Sequence, residues 1–293
     1  MKLKELRERK VIDEIWNIYG EKMEYDDCAI IDDGNSYLLL TTDFIGEGTH
    51  FIPSSSAELV GKFFVDVNLS DIAAMGGVPE HFMAAMQFPP YLDFEYVEHV
   101  IQGMKHELGK FGVKYLGGDL KESKIIGFSG FAIGHVEKEK ILRRRGAKIG
   151  DRIFITAPLG EKFAIHFLWK KGLAEFDEIL KIEPRIEEGR KIAEIASSGM
   201  DISDGLIFSL MELQRAGNVG MSVSIEKVPL HPLAEEVMED YSVAVERILS
   251  FGGDYELIYT APKKVVGYEI GEVIEERVKY GGTPYESFGK ALD

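Results

Sequence analysis

The chain has 293 residues, 45% of them hydrophobic, which is enough for two domains with their own cores and too apolar for a disordered protein. Its formal net charge is −16, from 50 acids against 34 Lys and Arg, a surface that repels nucleic acid and anionic membrane. No apolar run is long enough to cross a bilayer, the charged first residues carry no signal-peptide core, and the one cysteine, Cys28, excludes an internal disulfide and a Cys-rich zinc site, so a cytoplasmic protein is expected.

Lys2 to Gly20 reads as a helix with Leu6, Val11, Ile12, Ile15 and Trp16 on one side. Asp26-Asp27 precede a short strand through Ile31. Asp32-Asp33-Gly34-Asn35 is turn chemistry, and Ser36 to Asp43 is the returning strand. This hairpin brings Asp27 and Asp43 toward one end of a sheet. Thr41-Thr42-Asp43 closes the apolar strand with two hydroxyls and a carboxylate, where binding residues tend to sit. A loop with Gly46 and Gly48 follows and ends in His50.

Ser56 to Met75 reads as one helix, with Leu59, Phe63, Val67 and Met75 at helical spacing and Gly76-Gly77 as its stop. Asn68 and Asp71 share one face inside an apolar run. A carboxylate there is costly unless paired or metal-bound, and a solvated outer face is the ordinary alternative. His81 to Gln87 reads as a strand and Phe94 to Phe111 as an amphipathic helix. Val113 to Leu116 is a strand that stops at Gly117-Gly118-Asp119, and Ile125 to Val136 is another. Glycines before an acid let a phosphate or metal approach the backbone, although a tight turn with a solvated Asp fits the same residues.

Composition shifts to charge between Glu137 and Asp151, dividing the chain into domains at 1–137 and 138–293. Arg143-Arg144-Arg145 in an acidic protein offers a site for an anion, or an ordinary solvated run. Arg152 to Thr156 reads as a strand, Glu161 to Trp169 and Ile186 to Ser197 as helices. Gly199 to Leu206 is a turn that opens a helix through Leu213. It packs Asp201, Ser203 and Asp204 into four positions, more oxygen donors than one cap needs. Val223 to Ile225 and Glu256 to Thr260 read as strands. Gly252-Gly253-Asp254 repeats the Gly-Gly-Asp of 117–119, and aromatics including Tyr285 lie near the end.

There is no P-loop, no dinucleotide fingerprint, no protein-kinase motif set and no nucleophile elbow. What remains is a dispersed set of hard oxygen donors: Asp27, Thr41, Thr42, Asp43, Asp71, Asp119, Asp201, Ser203 and Asp204. Such donors suit Mg²⁺, which shares its shell with substrate phosphates. They can converge only if cations and a polyphosphate fill the space between them.

The motifs, in order, are Asp26-Asp27-Cys28-Ala29, Thr41-Thr42-Asp43, Gly48-Thr49-His50-Phe51, Val67 to Gly76, Gly117-Gly118-Asp119, Arg144-Arg145-Gly146-Ala147, Met200 to Leu206 and Asp254-Tyr255-Glu256-Leu257. Together they resemble the thiamine-monophosphate kinase family, within the superfamily of aminoimidazole ribonucleotide synthetase and selenophosphate synthetase. The resemblance implies an α/β (α+β) fold of two domains, each a mixed β-sheet packed with helices, the first pairing in a homodimer through its sheet. It implies transfer of the ATP γ-phosphoryl group to thiamine monophosphate. Several Mg²⁺ ions would be held by Asp27, Thr41, Thr42, Asp43, Asp71, Asp119, Asp201 and Asp204. Gly118, Arg144 and Ser203 would contact ATP, and His50 and Tyr285 the thiamine compound. The acceptor oxygen is already ionised, so no catalytic base and no covalent phospho-enzyme are expected.

One departure stands out. Relatives usually read Gly-Gly-Glu-Asp-Tyr-Glu-Leu where this chain reads Phe251-Gly252-Gly253-Asp254-Tyr255-Glu256-Leu257, so Gly253 stands where the resemblance implies a Glu against the thiamine compound, and either Asp254 takes its place or the acceptor pocket differs. The reactive Cys of selenophosphate synthetase and the C-terminal Cys of the hydrogenase-maturation relative are missing. An aminoimidazole ribonucleotide synthetase-like acceptor, and a nucleotide-binding protein without catalysis, are the competing readings.

Overall fold

The computed structural model describes residues 8–20 and 25–276. Tyr285 lies outside them. The first half runs α1 (Glu8–Tyr19), β1 (Ala29–Asp32), β2 (Ser36–Gly46), α2 (Ala57–Ala74), β3 (Val78–Phe88), α3 (Phe94–Lys110), β4 (Lys114–Glu122) and β5 (Gly127–Glu137). Its strands form a sheet in the order β1-β2-β5-β3-β4. The ladders are antiparallel except β3 to β4, which are parallel and joined through α3. The expected hairpin of β1 and β2 is present, with Ala29 opposite Leu40.

The helix expected between residues 56 and 75 forms as α2. The Ser56 hydroxyl accepts from Leu59 N at 3.5 Å, and Met75 closes the other end. This helix is apolar on nearly every side because it is covered on nearly every side. The sheet lies against one flank, and α3 together with elements of the second half covers the rest. At the α2–α3 contact a Cβ on Gly61 would fall 2.1 Å from the Val100 carbonyl oxygen, so only glycine allows the helices this close.

The second half runs β6 (Arg152–Ile155), α4 (Glu161–Trp169), α5 (Ile186–Ala193), β7 (Ser198–Asp201), α6 (Leu206–Gly217), β8 (Gly220–Val223), α7 (Pro232–Tyr241), α8 (Val245–Leu249), β9 (Leu257–Ala261) and β10 (Tyr268–Ile274). The strand order is β7-β9-β6-β10-β8. Every ladder in it is antiparallel, which corrects the expectation of a mixed sheet in this half.

Two other expectations are corrected. Gly117-Gly118-Asp119 is not a terminating loop, because β4 runs through it to Glu122. Asp201 is the last residue of β7 and not part of a helix-opening turn. Strand β7 is four residues long and buried throughout, too short for a period to show. Strand β10 carries Gly271 at a register shift, which breaks its alternation.

Candidate active site

Strand alternation decides what β2 offers. Thr41 and Asp43 face α2, while Thr42 and Phe44 are exposed on the opposite face. Asn68 and Asp71, one helical turn apart on α2, meet the inner pair. The Asp43 backbone N donates to Asn68 Oδ1 at 3.0 Å, and the Thr41 hydroxyl donates to Asp71. Opposite Asp43 in the ladder is Gly130, where a Cβ would fall 2.3 Å from Asn68 Nδ2. Glycine there makes room for the helix to reach the sheet.

A third element completes the cluster. Asp201, at the end of β7, receives a hydrogen bond from Ser70 Oγ of α2 at 2.8 Å and one from Ser203 Oγ at 3.3 Å. Asp27, just before β1, is held by Arg144 Nη2 at 2.5 Å, and Asp26 accepts from the Arg144 backbone N at 2.9 Å. Carboxylate oxygens of Asp27, Asp71 and Asp201 all lie within 4.8 Å of one another.

The electrostatics are those of anions held against their preference. Burial, then Asp43, Asp201 and Asp27, push the Asp71 carboxyl well above the usual carboxylate range. Burial, then the charge of Asp27, raises Asp201 to about 7. Burial, then Asp204 and Asp27, raises Asp43 to about 6. Arg144 supplies one positive charge, and its Nε is buried with no hydrogen-bond partner among the described residues. Hard oxygens this close, with too little positive charge between them, fit divalent cations of the Mg²⁺ class.

Three comparisons bear on what such a site belongs to. Residues 25–136 match the family model described as AIR synthase related protein, N-terminal domain. Thiamine-monophosphate kinase of Aquifex aeolicus is 34% identical over 273 residues, 90% of this chain and 89% of the relative. That of Archaeoglobus fulgidus is 35% identical over 84% of this chain and 81% of its own. The chain belongs to the thiamine-monophosphate kinase family. The solved structure described as AaThiL complexed with AMPPCP and TMP superposes with a TM-score of 0.88, at 33% identity, covering 94% of each chain.

In this family member the fold brings Asp27, Thr41, Asp43, Asp71 and Asp201 together. Asp204 joins them through its charge on Asp43, and Ser203 through Asp201. Thr42 is turned away from them on the outer face of β2. Gly118 and Asp119 stand on β4, separated from β2 by β5 and β3, roughly 14 Å at the usual strand spacing. Asp119 is exposed and lies 3.4 Å from Lys121. A groove of about 520 Å³ runs between α3 and β4 beside it, lined by Met86, Phe94, Ile101, Tyr115, Gly118 and Leu120.

His50 closes the turn after β2. Its Nδ1 accepts from Gly46 N at 3.2 Å, and burial lowers its pKa to about 4. The ring is therefore neutral at pH 7, with its proton on Nε2. Asp254 is committed elsewhere. Its carboxylate accepts from Gly160 N at 2.9 Å and Lys162 N at 3.4 Å, at the start of α4. Burial raises it to about 6 even so. Its role in the fold is that of a helix cap supplied from 94 residues away in sequence.

Sequence reasoning missed Ser70, which is hidden in an apolar run and identified only by its hydroxyl on Asp201. It also missed Asp26 as the group that fixes the Arg144 backbone. Two adjacent acids before a strand were visible, but not which arginine they would hold.

Proposed function

We propose that this chain transfers the terminal phosphoryl group of ATP directly to thiamine monophosphate, giving thiamine diphosphate and ADP. The carrying observation is the convergence of Asp27, Asp71 and Asp201 from three separate elements to within 4.8 Å. The names of the relatives and the neighbour complexed with AMPPCP and TMP support the choice of substrates.

A polyphosphate and a phosphate monoester meeting in an acidic pocket repel each other, so the work of the site is neutralisation and alignment. Mg²⁺ held by Asp27, Asp71 and Asp201, with Asp43 and Asp204 beside them, would supply the positive charge that phosphoryl transfer needs. Thr41, Ser70 and Ser203 orient the carboxylates by donating to them. Arg144, fixed by Asp26 and Asp27, presents a charged guanidinium whose Nε is still unsatisfied, a donor for a phosphate oxygen. Neutral His50, with its proton on Nε2, serves as a hydrogen-bond donor to the acceptor molecule and not as a cation. No side chain has to take a proton, because the attacking phosphate oxygen carries none at neutral pH.

We assign the two sheets to two domains, 1–137 and 138–293, with the carboxylates between them, in a cytoplasmic enzyme. We also propose a homodimer formed through the outer face of the first sheet, where Phe44, Met83 and Phe131 are exposed side by side. Asp119 pairs with Ala85 on that same face, so in the dimer it would serve the site of the second copy.

The test is ADP release with Mg²⁺-ATP, with and without thiamine monophosphate. Release should depend on both Mg²⁺ and the acceptor, and be lost in Asp43→Asn and Asp204→Asn. Full activity of both variants at limiting Mg²⁺ would remove the metal assignment.

A further inference from the structure

Three residues other than glycine have a positive φ among the described residues: Asn218, Ser242 and Tyr255. The first two are ordinary, since Asn218 ends α6 and Ser242 ends α7 in the left-handed conformation that caps helices. Tyr255, at φ 51°, ends no helix, and a bulky aromatic rarely adopts this conformation. Such strain persists only where the surroundings enforce it, and it gathers at functional sites.

The surroundings enforce it from both sides. Tyr255 N donates to Ile202 O at 3.0 Å, Gly253 N to Ser203 O at 2.8 Å, and Ile202 N to Glu256 O at 2.7 Å. These bonds zip the segment onto the loop that carries Ser203 and Asp204. The next residue, Glu256, is clamped by Arg185 and by Thr156 Oγ1 at 2.6 Å. The Tyr255 ring stands edge-on against Phe63 of α2, with centroids 6.1 Å apart and planes at 85°.

The residue so placed is bonded to the residue that follows Asp201, beside the loop of Ser203 and Asp204, and the charges of Asp43, Asp201, Asp204 and Asp71 all act on its phenol. The other hydroxyls at these carboxylates have spent their hydrogens: Thr41 on Asp71, Ser70 and Ser203 on Asp201. The Tyr255 hydroxyl donates to no described residue. It is a neutral donor within the field of the acids over which phosphoryl oxygens would lie, and being neutral it adds no charge to balance.

We propose that Tyr255 donates its phenolic hydrogen to an oxygen of the phosphoryl group in flight, and that the left-handed backbone at this position serves to aim it. The inference rests on the phosphoryl-transfer reading above. A hydrogen bond that strengthens as charge gathers on the transferred group raises turnover more than ground-state affinity.

The experiment uses the full chain with Mg²⁺, ATP and thiamine monophosphate, comparing wild type with Tyr255→Phe, which keeps the ring on Phe63. The expected result is a kcat lowered about 10²-fold, the usual scale for losing one such donor, with KM for ATP within about threefold. Affinity for ADP with aluminium fluoride, a mimic of the group in flight, should fall by a similar factor, while affinity for a non-hydrolysable ATP analogue holds. Tyr255→Asn, a residue that tolerates the left-handed conformation, should show the same loss and guards against a packing artefact. A Phe variant within twofold of wild type in kcat and in aluminium fluoride affinity overturns the role of Tyr255 alone. Equal losses in the affinities for analogue and mimic also overturn it, since a distorted pocket would do that. A wild-type chain that releases no ADP with thiamine monophosphate overturns the underlying reading, and this inference with it.

Discussion

The tripeptide Gly-Gly-Asp occurs twice, and the two copies do opposite things. At 117–119 it lies in an edge strand, and Asp119 is exposed beside Lys121. At 252–254 it is folded inward, and Asp254 caps α4 through two backbone N–H groups. Neither acid joins the cluster of Asp27, Asp71 and Asp201. Those three have no local motif in common, and they come from a pre-strand turn, the last turn of a helix and the end of a strand. In this protein an acid's partners, and not its neighbours in sequence, decide whether it is structural or available for ligand.

The sharpest way to break the comparison is to remove acids from each class. Asp71→Asn should lower kcat/KM by about 10³-fold or more, since it removes a group asked to hold several kcal/mol of charge stabilisation. The assay is initial-rate ADP release over a range of Mg²⁺, and activity retained at low Mg²⁺ would move Asp71 into the structural class.

Hybrid dimers sharpen the position of Asp119. If Asp119→Ala and Asp71→Ala variants are each inactive, mixing and re-equilibrating them should restore about a quarter of wild-type activity. Half the dimers are then mixed, and one site in each is intact. No recovery would place Asp119 outside the partner's site.

The cluster and the cap also differ in how pH acts on them. The folded values of about 7 for Asp201 and about 6 for Asp43 lie above their usual 3.8. The folded chain therefore holds more protons than the unfolded chain between roughly pH 4 and 7. The stability this confers is complete below pH 4 and is lost as pH rises through 6 and 7 when no cation is bound. Urea unfolding in chelator across that window should show a fall in wild type that is shallower in Asp201→Asn and is offset by added Mg²⁺. Parallel curves would mean that these acids do not press on one another.

Smallest is the cap itself. Asp254→Ala should cost about 1–2 kcal/mol of stability through the loss of two N–H acceptors at α4. Asp254→Asn should keep most of that stability and nearly all of kcat. A hundredfold loss of kcat/KM for thiamine monophosphate in the Asn variant would return Asp254 to the substrate site.

Much of the first half was legible because its signals are local. The apolar run, Ser56 and Gly76-Gly77 fixed α2 to within a residue at each end, and turn chemistry fixed the β1–β2 hairpin. Asp27, Asp43, Asp71 and Asp201 could be named as candidates because each is a hard oxygen donor beside or at the end of an apolar run. Thr42 was misread with its neighbours, since three polar residues in a row look alike until the strand's alternation sends the middle one to the far face. Asp254 could not be separated from Asp119, because nothing local says that a helix start 94 residues earlier would claim it.

By itself the sequence determined which segments form strands and helices, and which oxygen donors an acidic protein of this kind keeps in apolar company. Only the tertiary structure decided which of them share a pocket. Periodicity and turn chemistry act over a few residues, whereas the meeting of Asp27, Asp71 and Asp201 depends on α2 being covered on nearly every side between the first sheet, α3 and elements of the second half. That burial leaves the carboxylates only one another, Arg144 and whatever ligand enters to balance their charge.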